Sequence, residues 1–133
     1  MSGFSKNTRV AITHRVITSI SSVKVGMTLL GYKNREYVKS EVLTVERFML
    51  PTINIKTNAG DFSCSYNQCV VDSEQKNKKG SLFKVNDQLF SNKQSLIIQK
   101  VEGELESPTV SITTTNGFFL ILGELNDMVL VDQ

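Results

Sequence analysis

The chain has 133 residues, enough for one ordinary domain or two closely joined halves, and long enough to fold without a metal or a disulfide framework. Fifteen basic against thirteen acidic residues leave a net charge of +2, too little to imply nucleic acid or an anionic membrane as a partner. The longest apolar run, Phe118 to Leu122, is too short for a transmembrane helix, and the first twenty residues hold no apolar segment of a secretory signal.

Val, Ile and Thr number 34, whereas Ala occurs only at Ala11 and Ala59. β-Branched side chains favour strands and Ala favours helix, so the expected class is all-β. In chain order, residues 1–11 read as an N-terminal arm and 12–133 as a single β domain. Within it, Val23-Lys24-Val25-Gly26-Met27-Thr28-Leu29-Leu30 reads as the end of one strand, a polar turn at Gly26-Met27 and the start of another. Tyr37 to Leu50 follows; Val38, Val42, Val45 and Met49 would also fit a helical face. Pro51-Thr52-Ile53-Asn54-Ile55-Lys56 then alternates strictly, with Ile53 and Ile55 on one face. The proline is expected just before the strand, where it costs no ladder bond, and Asn58-Ala59-Gly60 forms a turn.

Cys64 and Cys69 come next. In an extended segment their Cα atoms would lie about 17 Å apart, beyond the reach of a disulfide, so two free thiols and a reducing compartment are expected. Asp72 to Ser81 has no apolar residue between Ser73 and Gly80 and reads as an exposed loop joining two halves. Its lysines read as solvated charge, with a phosphate or acidic partner as the sharper alternative.

Beyond this loop the pattern repeats. Phe83-Lys84-Val85-Asn86-Asp87-Gln88-Leu89-Phe90 matches the block at Val23. Pro108-Thr109-Val110-Ser111-Ile112-Thr113-Thr114-Thr115-Asn116-Gly117 matches the block at Pro51, and the chain has only these two prolines. The intervening Gln94 to Leu105 reads as a strand, so its partner Tyr37 to Leu50 is taken as a strand as well. Half-repeats of about 20–71 and 80–133, related by a pseudo-two-fold axis, are expected. Ile53, Ile55, Val110, Ile112, Val25, Val85 and Leu89 are the expected core. Glu102, Glu104 and Glu106, around a turn at Gly103, read as a solvated edge.

The order of these blocks resembles the Hint module shared by inteins and the autoprocessing part of hedgehog proteins. Ile20-Ser21-Ser22-Val23-Lys24-Val25-Gly26-Met27-Thr28-Leu29-Leu30 fits that family's I-x-x-L-x-V-G-D-x-V-L, with Met27 where Asp is usual. Ile53 to Gly60 stands for a strand ending T-x-x-G, and Phe62 to Gln68 lies over the strand leading to T-x-x-H. Asn126-Asp127-Met128-Val129-Leu130-Val131-Asp132-Gln133 resembles the closing turn and strand before His-Asn. The resemblance covers about residues 12 to 133 and implies an internally duplicated, mostly antiparallel Hint-like β fold with pseudo-two-fold symmetry.

It also implies a chemistry that the residues do not support. Splicing needs a Cys, Ser or Thr at the module start, with a basic side chain and donors to activate the preceding amide. The resemblance places the start position at or near Arg9, with Thr8 and Thr13 close by. It places Ser65 for the Thr and Gln68 for the His of T-x-x-H, and Asp132-Gln133 for the closing His-Asn. The one histidine, His14, falls beside the first strand and reads as a polar edge residue, with a displaced base as the alternative. From an initiator-like Met1 at the start and Gln133 at the end, no downstream segment to ligate is expected. There is no G-x-S-x-G, glycine-rich phosphate loop or H-E-x-x-H motif. The expectation is a non-catalytic Hint-like scaffold with no catalytic residue, cofactor or metal. It would act by binding protein partners, by analogy as a phage virion or assembly component, in the cytoplasm or the virion, with no nucleic acid and no membrane. Residual self-cleavage and a cytoplasmic peptide-binding adaptor are the alternatives.

Overall fold

The computed structural model describes residues 1–91, 96–122 and 128–132. Twelve strands are seen among them: β1 (Phe4–Ser5), β2 (Arg9–Ala11), β3 (Ile17–Ser19), β4 (Thr28–Lys33), β5 (Glu36–Thr57), β6 (Gly60–Ser65), β7 (Cys69–Val71), β8 (Asn77–Lys79), β9 (Gln88–Leu89), β10 (Leu96–Thr114), β11 (Phe118–Leu122) and β12 (Met128–Asp132). They form two antiparallel sheets, ordered β4-β5-β6-β1-β10-β9 and β3-β2-β11-β12-β7-β8, with a further β5–β10 pairing in the first. The expected all-β, mostly antiparallel architecture is what the chain adopts.

The duplication is written in the backbone hydrogen bonds. Ile20 N donates to Thr8 O (2.7 Å) and Gly80 N to Gln68 O (2.8 Å). Thr8 N donates to Ser5 O (2.9 Å) and Gln68 N to Ser65 O (3.1 Å). Gly26 N meets Val42 O at 2.9 Å, and Asn86 N meets Ile98 O at 2.8 Å. Met27 and Asp87 play the same part in the two copies: Met27 Sδ accepts from Lys24 N at 3.1 Å, as Asp87 Oδ2 accepts from Lys84 N at 2.9 Å. The two copies meet where Phe4 pairs with Cys64 in antiparallel register.

This sets the copies differently from the boundaries expected at 20–71 and 80–133. The pattern begins at Phe4 in one half and Cys64 in the other, so the first eleven residues are no arm. Phe4 and Val10 are fully buried, and β1 and β2 are inserted into separate sheets. Nor is 72–81 a connecting loop. It answers to 12–21 of the first copy, and Asn77–Lys79 pair with β7 as an edge strand. An edge position suits polar side chains, since one side of the strand's backbone is unpaired and open to solvent. The Lys78 ammonium lies over the Phe83 ring, 5.0 Å from the centroid, and reaches the Asp87 carboxylate at 3.2 Å.

The long strands hold both prolines inside them, not before them. Thr52 is the first residue of β5 to pair with β6, and Thr109 is where β10 meets β1. Each proline sits one residue earlier, at the end of that pairing, where a missing N–H breaks no ladder. Ile53, Ile55, Val110, Ile112 and Leu89 are buried as expected, but Val25 and Val85 are 65% and 52% exposed. The reason is local. Ile20–Ser22 and Gly80–Leu82 each form a turn of 3-10 helix, so the chain enters the core at Val23 and Phe83 and has left it two residues later. Gly103, expected in a turn, lies within β10 beside a register shift, and a Cβ there would approach the Tyr66 hydroxyl to 2.8 Å.

Phe4 packs against Phe62 and Phe119, with ring centroids 6.4 and 6.1 Å away. Phe4→Ala should therefore cost about 3–5 kcal/mol, whereas Val25→Ala and Val85→Ala should each stay within about 0.5 kcal/mol of the parent. Urea melts of the three variants check both statements.

Candidate functional site

Antiparallel pairing of Phe4 with Cys64 places Gly3 beside Ser65. Gly3 N donates to Ser65 Oγ at 3.0 Å, and Ser65 N donates back to Gly3 O at 2.9 Å. The Ser65 hydroxyl then donates to Asn67 Oδ1 at 3.1 Å, closing the turn from β6 into β7. Gln68 is 3% exposed, and its Nε2 donates to the carbonyls of Asp132 (2.6 Å) and Cys69 (3.1 Å). The start of the chain, the turn after β6 and the closing strand β12 thus meet at one place. A cavity of about 190 Å³ beside it is lined by Met1, Leu50, Pro51, Ser65, Tyr66 and Asn67.

Of the residues singled out in the sequence, the fold brings together Ser65, Gln68 and Asp132. Gln133 lies outside the described residues. Arg9 is not at this junction: it stands on β2, paired with Ser19 and Leu122. Thr8 is buried and occupies the position in the first copy that Gln68 holds in the second. Thr13 accepts from Arg15 N and Val16 N in an exposed turn. His14, on the same turn, sets its ring edge-on to Tyr37 at 4.4 Å.

Gly3 is the residue that the sequence reading missed. A signal existed: Ser5-Lys6-Asn7-Thr8-Arg9-Val10 and Ser65-Tyr66-Asn67-Gln68-Cys69-Val70 share Ser, Asn and Val. Reading the repeat from there would have set Phe4 against Cys64.

The two thiols are free. Burial pushes the Cys64 thiol up to about 12, helped by the nearby Cys69 and Glu104. Cys69 is also raised, first by partial burial and then by the Asp132 carboxylate, with Lys79 opposing. An activated cysteine needs a lowered pKa, so neither environment favours a nucleophile. Among the described residues no group of three His, Cys, Asp or Glu side chains could hold a metal.

No protein-family model and no curated protein sequence matches the chain. Solved structures do match over its whole length. The bacterial intein-like domain from Clostridium thermocellum is 14% identical, with a TM-score of 0.88, covering 100% of this chain and 99% of that one. The gp41-1 intein is 20% identical, with a TM-score of 0.83 and the same coverage. A DnaB intein from Synechocystis sp. PCC 6803 is 10% identical, with a TM-score of 0.85, again covering 100% and 99%. At such identities the likeness establishes the fold.

The Cys64 environment has a measurable consequence. An unfolded thiol ionises near about 8.5, whereas the folded one stays protonated to about 12. Above about pH 8.5 the unfolded state therefore binds fewer protons, and stability should fall with rising pH by up to about 1.4 kcal/mol per pH unit. Denaturant melts between pH 8 and 10 should show this slope, and Cys64→Ala should flatten it.

Proposed function

We infer that this chain is a Hint-fold protein without autoprocessing chemistry, which serves as a structural or protein-binding module. The observation that carries this reading is the Gly3–Ser65–Gln68 junction. Autoprocessing would place the nucleophile where the chain's first segment meets the turn after β6, because donors on that turn must act on the amide to be cleaved. Gly3 supplies that amide, and it has no side chain. The fold also leaves little room for one. A Cβ at position 3 would come within 2.9 Å of Val110 O and 3.1 Å of Thr109 Cβ.

The base position fails in a second way. Gln68 has no titratable group, and its amide is tied to two backbone carbonyls. It holds β12 against β7 and moves no proton. Loss of a positioned acid–base group costs about 10²–10⁴-fold, and losses within one constellation act together. Ser5, Thr8 and Thr13 do not substitute, since none is paired with a base among the described contacts. What remains is a rigid scaffold with exposed apolar side chains, among them Met49 and Leu105, suited to contact with a protein partner.

Incubating the protein with thiol or hydroxylamine, each of which would cleave a trapped thioester or ester, tests the reading. The expected outcome is an unchanged intact mass. Nucleophile-dependent loss of a peptide ending between residues 1 and 13 would instead establish residual self-cleavage.

A further inference from the structure

The pseudo-two-fold axis through Phe4 and Cys64 gives the Gly3–Ser65 junction a counterpart on the other side, where Ser5 lies against Ser63. The counterpart is the roomier of the two. It opens into a cavity of about 420 Å³, within the usual range for small-molecule sites, against about 190 Å³ at the junction itself. Ser5, Asn7 and Thr8 line it where Ser65, Asn67 and Gln68 stand in the other copy. Leu122 takes the place of Asp132, since β2–β11 pairs Val10 with Ile121 as β7–β12 pairs Val70 with Val131. The glutamine that closes the junction is here the much shorter Thr8.

Charge is divided across this cavity. Arg9 reaches it from β2 of the second sheet, whereas Asp61 on β6 and Glu104 on β10 reach it from the first. Both carboxylates are held by side-chain donors: Asn54 Nδ2 gives a bond to Asp61 Oδ2 (2.9 Å), and Thr52 Oγ1 gives one to Glu104 Oε1 (3.1 Å). Asn54 Nδ2 also donates to Ser63 Oγ at 3.1 Å, which fixes three wall residues together. Arg9 is already engaged by a neighbour, and a guanidinium with five donors can serve a ligand as well. The lining is polar on nearly every side, so an apolar ligand would leave its donors and acceptors without partners.

We propose that this cavity binds a free α-amino acid as its zwitterion, the ammonium toward Asp61 and Glu104 and the carboxylate toward Arg9. A carboxylate and a guanidinium are matched in planar geometry, and an ammonium needs the anionic wall that the first sheet provides. Hydroxyls of Ser5 and Ser63 serve the polar remainder. The site is independent of the processing junction and of whether that junction is active.

The test is a titration of the ¹⁵N-labelled protein with each of the common L-amino acids, at concentrations up to tens of millimolar. At least one should shift the amides of Ser5, Asn7, Asn54 and Ser63 saturably. Its N-acetyl derivative, lacking the ammonium, and its carboxamide, lacking the carboxylate, should each bind at least tenfold more weakly. Arg9→Gln should lose affinity for the amino acid but not for its carboxamide, and Asp61→Asn with Glu104→Gln should lose it for the amino acid but not for its N-acetyl form. Well-dispersed spectra confirm that both variants are folded. No saturable shift at these residues with any amino acid, or equal binding of the free and blocked forms, would overturn the proposal.

Discussion

The structure depends on a strand of two residues. Phe4–Ser5 slots between β6 and β10, pairing Phe4 with Cys64 on one side and with Val110 on the other. That single insertion joins the two copies, buries the Phe4 ring among Phe62 and Phe119, and fixes what faces what at the chain's start. Because the register is antiparallel, Gly3 must meet Ser65 and Ser5 must meet Ser63. Both the Gly3–Ser65 junction and the larger cavity follow from this one pairing.

The two sites show how a duplicated fold can diverge in its copies. In one, Gln68 is sealed by two carbonyls and draws the closing strand in. A buried amide so engaged stabilises the fold, since an unpartnered one would cost about 1–3 kcal/mol. Among the described residues no buried side-chain nitrogen or oxygen lacks a partner, and the junction is no exception. In the other copy Thr8 leaves the space open, and charged groups from both sheets border it. Gln68 acts as a structural clamp, while Thr8, its twin, leaves a cavity.

Much of the fold was legible because alternation is a physical signal. Ile53 and Ile55, then Val110 and Ile112, declare their faces whatever surrounds them. The blocks around Gly26 and Asn86 declare a turn through residues that accept positive φ, and both are found with it. Illegible were the features set by distant partners. Val25 and Val85 look like strand residues, and only the preceding 3-10 turns turn them out to solvent. Asn77–Lys79 look like a loop, and only β7 makes them a strand. Gly3 carries no side chain to notice, and its position at the site follows from a partner sixty-two residues away. Which residue meets Ser65 is set by the pairing of Phe4 with Cys64 and by no local motif, so Gly3, and not Arg9, stands at the junction.

Splicing or cleavage by this scaffold is tested most directly by giving it something to splice. The chain would be expressed between two folded reporter domains, each joined through a short flexible linker, and the products measured by intact mass after prolonged incubation at neutral pH. With glycine at position 3 and Gln68 clamped, only the full-length fusion should be present. Ligated reporters, or either reporter released by cleavage at the chain's boundary, would contradict the account.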